Sequence, residues 1–312
     1  MALWVTHSGK FHCDEVFGYA VLRLALGDEH ELRRTRKPDV IAAADIVWDV
    51  GGIYDADTKR FDHHQKGAPL RDDGAPFSAA GLLWRHYGPE AVRRVLPAGD
   101  AHLAAVIAAE IEQRMVRRID EIDTGVSLNG PVKVGPLELA SLIGDFNPTW
   151  DSPESVGPAA GDDAFIQAAA LAQGVLRRRI ESARSKFAAE ALVLQAYAAG
   201  EDQRVLVLPR GMPWKNVVFA KDLPVLFAVS PASNGNWMLD TVPPEPQSFA
   251  QRLPLPAAWA GLEGAALAQV CGVEDAVFVH LRRFVGAARS RAGALAMARA
   301  ALAADGLVES AL

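Results

Sequence analysis

Near its start the chain passes from a short apolar, β-rich run, Ala2–Thr6, through a polar loop, His7-Ser-Gly-Lys-Phe-His-Cys-Asp14. It then enters a segment whose apolar residues Val16, Phe17, Ala20, Val21 and Leu24 recur at helical spacing. A strand, a glycine-containing loop and a helix, in that order, open an α/β sheet, and ligands of such sheets lie at the carboxyl ends of the strands. The opening therefore predicts both an α/β fold and the edge that carries its chemistry. Two later segments fit the same scheme. Asp45–Val50 reads as a buried strand stopped by Gly51-Gly52, and Thr58–Asp62 as a short strand delivering Asp62-His63-His64 at its end.

Helical spacing covers Ser78–His86 and Ala101–Arg118, the second running into Ile119-Asp120-Glu121-Ile122-Asp123-Thr124-Gly125. Residues 126–162 are dense in turn signals, among them Asn129-Gly-Pro, Gly135-Pro, Asn147-Pro and Gly157-Pro. A long helical pattern follows over Asp163–Ala198, with Gly174 as its weak point. Beyond Gly200 the texture turns to strands, at Arg204–Leu208, Val225–Val229, Asn236–Val242 and Ala276–His280, before a last helix over Ser290–Ala303. The expected organisation is a parallel-sheet domain at 1–198 that includes the long helix, and a smaller mixed α+β domain at 199–312.

The length of 312 residues suits two domains at about 150 residues each. A net charge of −6 argues against a protein that coats nucleic acid or anionic membrane through its overall field, while leaving room for a local basic groove. Two cysteines make no disulfide framework, which favours a reducing compartment. His7, Lys10, His12, Asp14 and Glu15 stand where a signal peptide needs apolar residues. The Ala-rich stretches 164–176 and 292–302 fall short of the roughly 18–20 apolar residues of a membrane span. The expectation is a soluble cytoplasmic protein with no membrane partner. Its oligomeric state is open, a homodimer among the options.

Metal-compatible side chains gather at the predicted strand ends and loops: His7, His12, Asp14, Asp49, His63, His64 and Asp123. Imidazole with carboxylate suits manganese, zinc, iron or cobalt, whereas an all-oxygen set would favour magnesium or calcium. So many ligands exceed one tetrahedral zinc site. Two ions sharing a bridging carboxylate would use them, and paired ions hydrolyse phosphoesters. Asp62 is placed to hydrogen-bond a neighbouring imidazole or the loop backbone rather than to ligate. Asp120 lies on the same helical face as Asp123, so either can be the ligand. Cys13, between two ligand candidates, reads as a small buried hydrophobe.

Thr6–Glu15 (THSGKFHCDE), Asp49-Val-Gly-Gly, Phe61-Asp-His-His-Gln65 and Ile119–Gly125 resemble the MYG1 family, a branch of the DHH phosphoesterase superfamily. The likeness continues through Arg252-Leu-Pro, Trp259-Ala-Gly-Leu262, Phe278-Val-His280 and Phe284-Val-Gly286. The resemblance implies a DHH-type domain capped by a smaller one over a two-manganese site. On it, His7, His12 and Asp14 match the first-motif ligands, and Asp49 matches the bridging carboxylate. His63 matches a further ligand, His64 the catalytic imidazole and Asp123 the fourth-motif ligand, with Asp120 and Asp62 behind them. The wider superfamily carries Asp where this chain has His12.

Substrate contacts are expected from Lys10 and Ser8 in the first loop, and from Arg252, His280, Arg282 and Arg283 in the second domain, since arginine matches phosphate geometry. Arg283 and Ala287 occupy places where the family has glycine. Trp237 and Trp259 read as packing residues, and Arg177-Arg178-Arg179 as a solvated helix face. The resemblance points to a manganese-dependent 3′–5′ exonuclease acting on single-stranded RNA or a short oligonucleotide. Three other readings compete. One is a small-phosphoester or pyrophosphate hydrolase. Another is a zinc-dependent amide hydrolase, whose His-Pro-Asp-Asp-Glu loop His12–Glu15 superficially resembles. The last is a binding protein without enzymatic activity.

Overall fold

The computed structural model describes residues 1–126, 138–157, 159–246 and 248–306. Its first part runs β1 (Ala2–Thr6), α1 (Cys13–Leu26), β2 (His30–Arg34), α2 (Pro38–Ala43), β3 (Ile46–Trp48), β4 (Tyr54–Asp55) and β5 (Arg60–Phe61). There follow α3 (Ala79–Val95), α4 (Ala104–Ile111), α5 (Arg117–Asp123), α6 (Leu139–Gly144) and the long α7 (Asp162–Ala198). The second part holds β6 (Val205–Val207), α8 (Lys215–Ala220), β7 (Phe227–Pro231), β8 (Trp237–Thr241), α9 (Gly264–Cys271), β9 (Ala276–Val279), β10 (Val285–Ala288) and α10 (Arg291–Ala304). The fold is α/β. The chain divides into two compact units, Met1–Arg184 and Ser185–Leu312, so the division falls inside α7.

The first sheet has the order β2-β1-β3-β5-β4, with β2, β1, β3 and β5 parallel and β4 antiparallel at the edge. Side chains alternate between the two faces of each strand. Val5 and Val47 pack with Val40 and Ile41 of α2. On the opposite face Trp4 meets Tyr19 of α1, and the Trp48 indole donates to the Glu15 carbonyl at 3.0 Å. Helix α1 is buried along nearly its whole length and packs closely on α3. At Gly18 a Cβ would stand 2.7 Å from a Leu83 methyl carbon. Each fully buried Phe, Leu or Val here contributes about 1.5–3 kcal/mol.

The second sheet is mixed, in the order β6-β7-β8-β10-β9. One face carries Val205, Phe227 and Val229 against α9 and α10, through Leu267, Met297 and Ala301. The other carries Leu206 and Ala228 against α8 and the end of α7, through Val217, Val218 and Val193. This matches the mixed α+β segment expected from the sequence.

The structure departs from expectation in several places, the short elements β4, α6, α8, α9 and β10 among them. Strand β2 and helix α2 have no counterpart in the sequence reading, because the edge strand His-Glu-Leu-Arg-Arg presents charge at most positions and α2 is short. The expected helix over Ala101–Arg118 is a succession: a 3₁₀ turn at Ala98–Leu103, α4, a π turn at Glu112–Val116, and α5. Apolar spacing over one turn cannot separate these hydrogen-bonding patterns. Helix α3 runs past His86 and through Pro89 to Val95, since burial of Ala91 and Val92 on the face of Trp84 offsets the bond lost at proline. The turn signals at Asn129–Pro131 and Gly135–Pro136 lie outside the described residues.

Candidate metal centre

Three parallel neighbours end side by side. His7 follows the last residue of β1, Asp49 follows β3, and Asp62-His63-His64 follow β5. Helix α1 begins at Cys13 and brings Asp14 and Glu15 in its first turn, where the helix dipole favours carboxylates. Asp123 closes α5. Asp49 has a φ of +56°, a left-handed conformation that Asp tolerates better than most residues, and Gly51 and Gly52 continue the turn at +102° and +70°.

These elements bring all six expected ligands together, in overlapping groups of donor atoms within 4.8 Å: His7 and His12 with Glu15; His12, Asp14 and Asp123; Asp49, His63 and His64; and Asp14, Glu15 and Asp49. Cys13 belongs to none of these groups; it is buried, and burial pushes its thiol pKa up. His7 donates through Nδ1 to the Ser8 carbonyl at 3.2 Å, which leaves Nε2 2.8 Å from Glu15 Oε1 and 3.2 Å from Asp49 Oδ2. His63 Nε2 stands 3.2 Å from Asp49 Oδ1, 3.3 Å from Asp123 Oδ2 and 3.9 Å from Asp14 Oδ2.

Burial disfavours charge on the His7 ring, yet hydrogen bonds with Asp49 and Glu15 prevail and push it up to about 10. Burial also works against the Asp49 carboxylate, and His63 and His7 nevertheless pull it down to about 2. Asp14 goes the other way. Burial first, then the charges of Asp49, Glu15 and Asp123, hold its pKa well above the carboxylate range.

The donors fit divalent ions. Both Asp14 carboxylate oxygens, Asp49 Oδ1 and His63 Nε2 are buried without an aligned hydrogen-bond partner. Orphaned buried polar atoms cost about 1–3 kcal/mol each, more when charged. Ligands about 2.0–2.2 Å from an ion and at right angles to one another stand roughly 3 Å apart, close to the spacings around His7 and His63.

Behind this layer, Asp62 Oδ1 accepts from the backbone N–H groups of His63 and His64 at 2.8 and 3.2 Å and from His64 Nδ1 at 2.7 Å, while Oδ2 accepts from the Gly52 N–H at 2.6 Å. The His64 side chain is 62% exposed. Asp120 sits elsewhere. It accepts from Ser78 Oγ at 2.6 Å, from the Gly81 N–H at 2.9 Å and from Arg71 at 2.6 Å, tying α5 to the start of α3. A Cβ at Gly81 would fall 2.0 Å from that carboxylate. Between Asp120 and Asp123, it is Asp123 that faces the histidines.

Glu15 was missing from the sequence reading as a ligand. It is fully buried and accepts from the His12 N–H with both oxygens at 3.0 Å while facing His7. The available signal was its position three residues after His12, the spacing of a capping box.

Two side chains staple the first ligand loop. Asn147 accepts from the Phe11 N–H and donates to the Phe11 carbonyl, both at 2.9 Å. Buried Arg34 donates to the Gly9 carbonyl and, at 3.1 Å, to Asp162, its guanidinium lying over the Phe11 and Phe165 rings. Asn147→Ala, which also removes the 3.1 Å bond from Asn147 Nδ2 to the Gly144 carbonyl, is expected to cost about 1.5–4.5 kcal/mol, at roughly 0.5–1.5 kcal/mol per hydrogen bond. It should also weaken metal binding by about 10–100-fold. Urea unfolding and metal titration check both; unchanged affinity would mean that the loop holds its shape unaided.

The substrate candidates divide. Lys10 is exposed beside the ligand loop. In the second unit, Arg252 spends its guanidinium on the carbonyls of Leu223 and Val225, at 2.7 and 3.1 Å, so its fork supports a loop. His280 is exposed and accepts the Arg282 N–H at 3.0 Å. Arg283 has a φ of +62° and donates to the Leu255 carbonyl at 3.2 Å. That backbone conformation is the one glycine adopts without strain.

Residues 4–302 match the family model MYG1_exonuc, described as an uncharacterised protein family (UPF0160). The chain belongs to the MYG1 family. A human protein named MYG1 exonuclease is 34% identical over 327 residues, spanning 96% of this chain and 85% of the relative. MYG1 proteins of Caenorhabditis elegans and Schizosaccharomyces pombe are each 33% identical, over 95% of this chain and 94% and 96% of their own lengths. No solved structure matches the chain significantly. Among the described residues of this MYG1-family chain, no helix is long and apolar enough to cross a membrane.

Proposed function

We propose that the protein is a phosphodiesterase of the DHH type that uses two divalent ions, and that it acts as a 3′–5′ exonuclease on RNA. The observation that carries this reading is the division of labour at Asp49. Its Oδ2 faces His7, beside Glu15, while its Oδ1 faces His63, beside Asp123 and Asp14. One carboxylate thus addresses two donor sets. His12 joins the first set through His7 and Glu15, and touches the second through Asp14 and Asp123. When bound, a pair of divalent ions supplies Lewis acidity to the phosphoryl oxygens and acidifies water near neutral pH.

The chain's own groups do the rest. His64, its Nδ1 engaged by Asp62, keeps Nε2 as the nitrogen that exchanges a proton with a substrate oxygen. Asp62 fixes the ring and the loop beneath it. The imidazole–carboxylate donors suit manganese. The relatives' exonuclease name supports a nucleic-acid strand as substrate; RNA and the 3′ end rest on the superfamily resemblance. In this reading residues 1–198 hold the reacting phosphate and 199–312 bind substrate. Both cysteines are buried and free, which suits the cytosol. The net charge of −6 favours one competing reading, a small anionic substrate such as pyrophosphate.

The test strips the purified protein of metal, restores manganese, magnesium or zinc, and follows end-labelled single-stranded RNA and DNA alongside pyrophosphate. Manganese-dependent mononucleotide release from the 3′ end of RNA, with two ions per chain and a rise in melting temperature on metal addition, supports the proposal. Pyrophosphate hydrolysis alone moves the assignment to a small-phosphoester hydrolase. One bound zinc with amide cleavage overturns it.

A further inference from the structure

A polyanionic strand approaching this edge meets Asp14, Glu15, Asp49, Asp62 and Asp123, so positive charge is needed beside them. Strand β2 is where it lies. Thr6 pairs with Arg34, and the Thr35 N–H donates to the Thr6 carbonyl at 2.8 Å, so the chain leaving β2 runs alongside the chain leaving β1. Arg36 reaches the ligand loop itself, its Nε donating to the Ser8 carbonyl at 3.4 Å. Of the cations in this corner, Arg33 is paired with Glu31 and Arg34 with Asp162. Arg36, Lys37 and Lys10 are exposed, and none belongs to an ion pair among the described residues.

Sheet order places this corner two strands from β3 and Asp49, about 10 Å at roughly 4.8 Å per strand. That is too far to touch the reacting phosphate and near enough to touch its neighbours along a chain.

The geometry points to a phosphate-binding corner at the carboxyl end of β2, in which Arg36 and Lys37, with Lys10, hold backbone phosphates of a single-stranded nucleic acid beyond the one being cleaved. The inference rests on the phosphodiesterase reading for its substrate, but it can be tested by binding alone. Contacts of this kind carry no base preference and are strongly salt-dependent.

The experiment measures anisotropy of a fluorescein-labelled, phosphorothioate single-stranded oligonucleotide with the manganese-loaded full chain over a salt series. It compares the unmodified protein with Arg36→Ala/Lys37→Ala and with Arg36→Lys/Lys37→Arg. Loss of two phosphate contacts should shallow the slope of log affinity against log salt by about 1.4, at roughly 0.7 per contact. Affinity at low salt should fall about 10-fold or more, and the charge-preserving variant should recover both. With a cleavable oligonucleotide, KM rises while kcat holds; with a dinucleotide, too short to reach the corner, KM changes little.

An unchanged salt slope in the alanine variant overturns the inference. So does a fall in metal content, which would make Arg36 a support for the Ser8 loop. If the unmodified protein binds the strand with the expected slope and never cleaves it, the corner stands and the nuclease reading falls. If it binds no strand at all, the corner falls too.

Discussion

Asp49→Asn is expected to lower phosphodiester turnover by more than about 100-fold, the loss that removing a mere outer-shell partner of a metal ligand already approaches. It should also reduce the manganese bound per chain. The reason is the placement of the two oxygens, 3.2 Å from His7 Nε2 on one side and 3.2 Å from His63 Nε2 on the other. Asn keeps one oxygen and replaces the other with an N–H₂ group, which donates hydrogen bonds and cannot ligate a cation. The substitution is a clean one because Asn, like Asp, tolerates the left-handed backbone at φ +56°. Circular dichroism should therefore stay near that of the unmodified protein, while the unfolding midpoint in chelator should fall, because Asn cannot hold the two imidazoles as the carboxylate does. Metal analysis and a fixed-concentration rate decide the matter. A variant with two ions and full rate would mean that the carboxylate does not join the two donor sets.

His64→Ala separates catalysis from metal binding. Turnover should fall by about 10²–10⁴-fold, the usual contribution of a positioned acid or base, while metal content holds. The His64 side chain is 62% exposed, and the nitrogen nearest Asp49 is already held by Asp62 at 2.7 Å. His63→Ala is the control, because its Nε2 is orphaned among three carboxylates and its loss should empty that donor set. Should His64→Ala lose an ion as His63→Ala does, His64 is a ligand. Should it keep full rate, the proton passes elsewhere.

What the sequence made legible followed from strand ends. His7 and Asp49 each stand one residue past a strand whose apolar character is visible in the letters, His63 stands two residues past the short strand β5, and parallel neighbours must finish together. Asp120 and Asp123 share a helical face, and periodicity could not choose between them. The choice was made by distant partners, Ser78, Gly81 and Arg71, which claim Asp120. Glu15 looked like any acid in a first helical turn, since nothing in its neighbours reveals that His7 folds back over it. Arg36 was hidden for a different reason. The strand two residues before it is a charged edge with no hydrophobic alternation to read, and without β2 in place the corner beside the ligand loop is not legible.

The staples on the first ligand loop set the order in which this molecule can be finished. Phe11 is gripped by Asn147, and Gly9 by Arg34, which is itself anchored on Asp162. On the ribosome Asn147 and Asp162 emerge well over a hundred residues after the loop they hold, roughly 7–30 s later at about 5–20 residues per second. The nascent chain thus carries His7 and His12 without those two grips throughout that interval. The donor loop is therefore fully clasped only after translation has passed the beginning of α7.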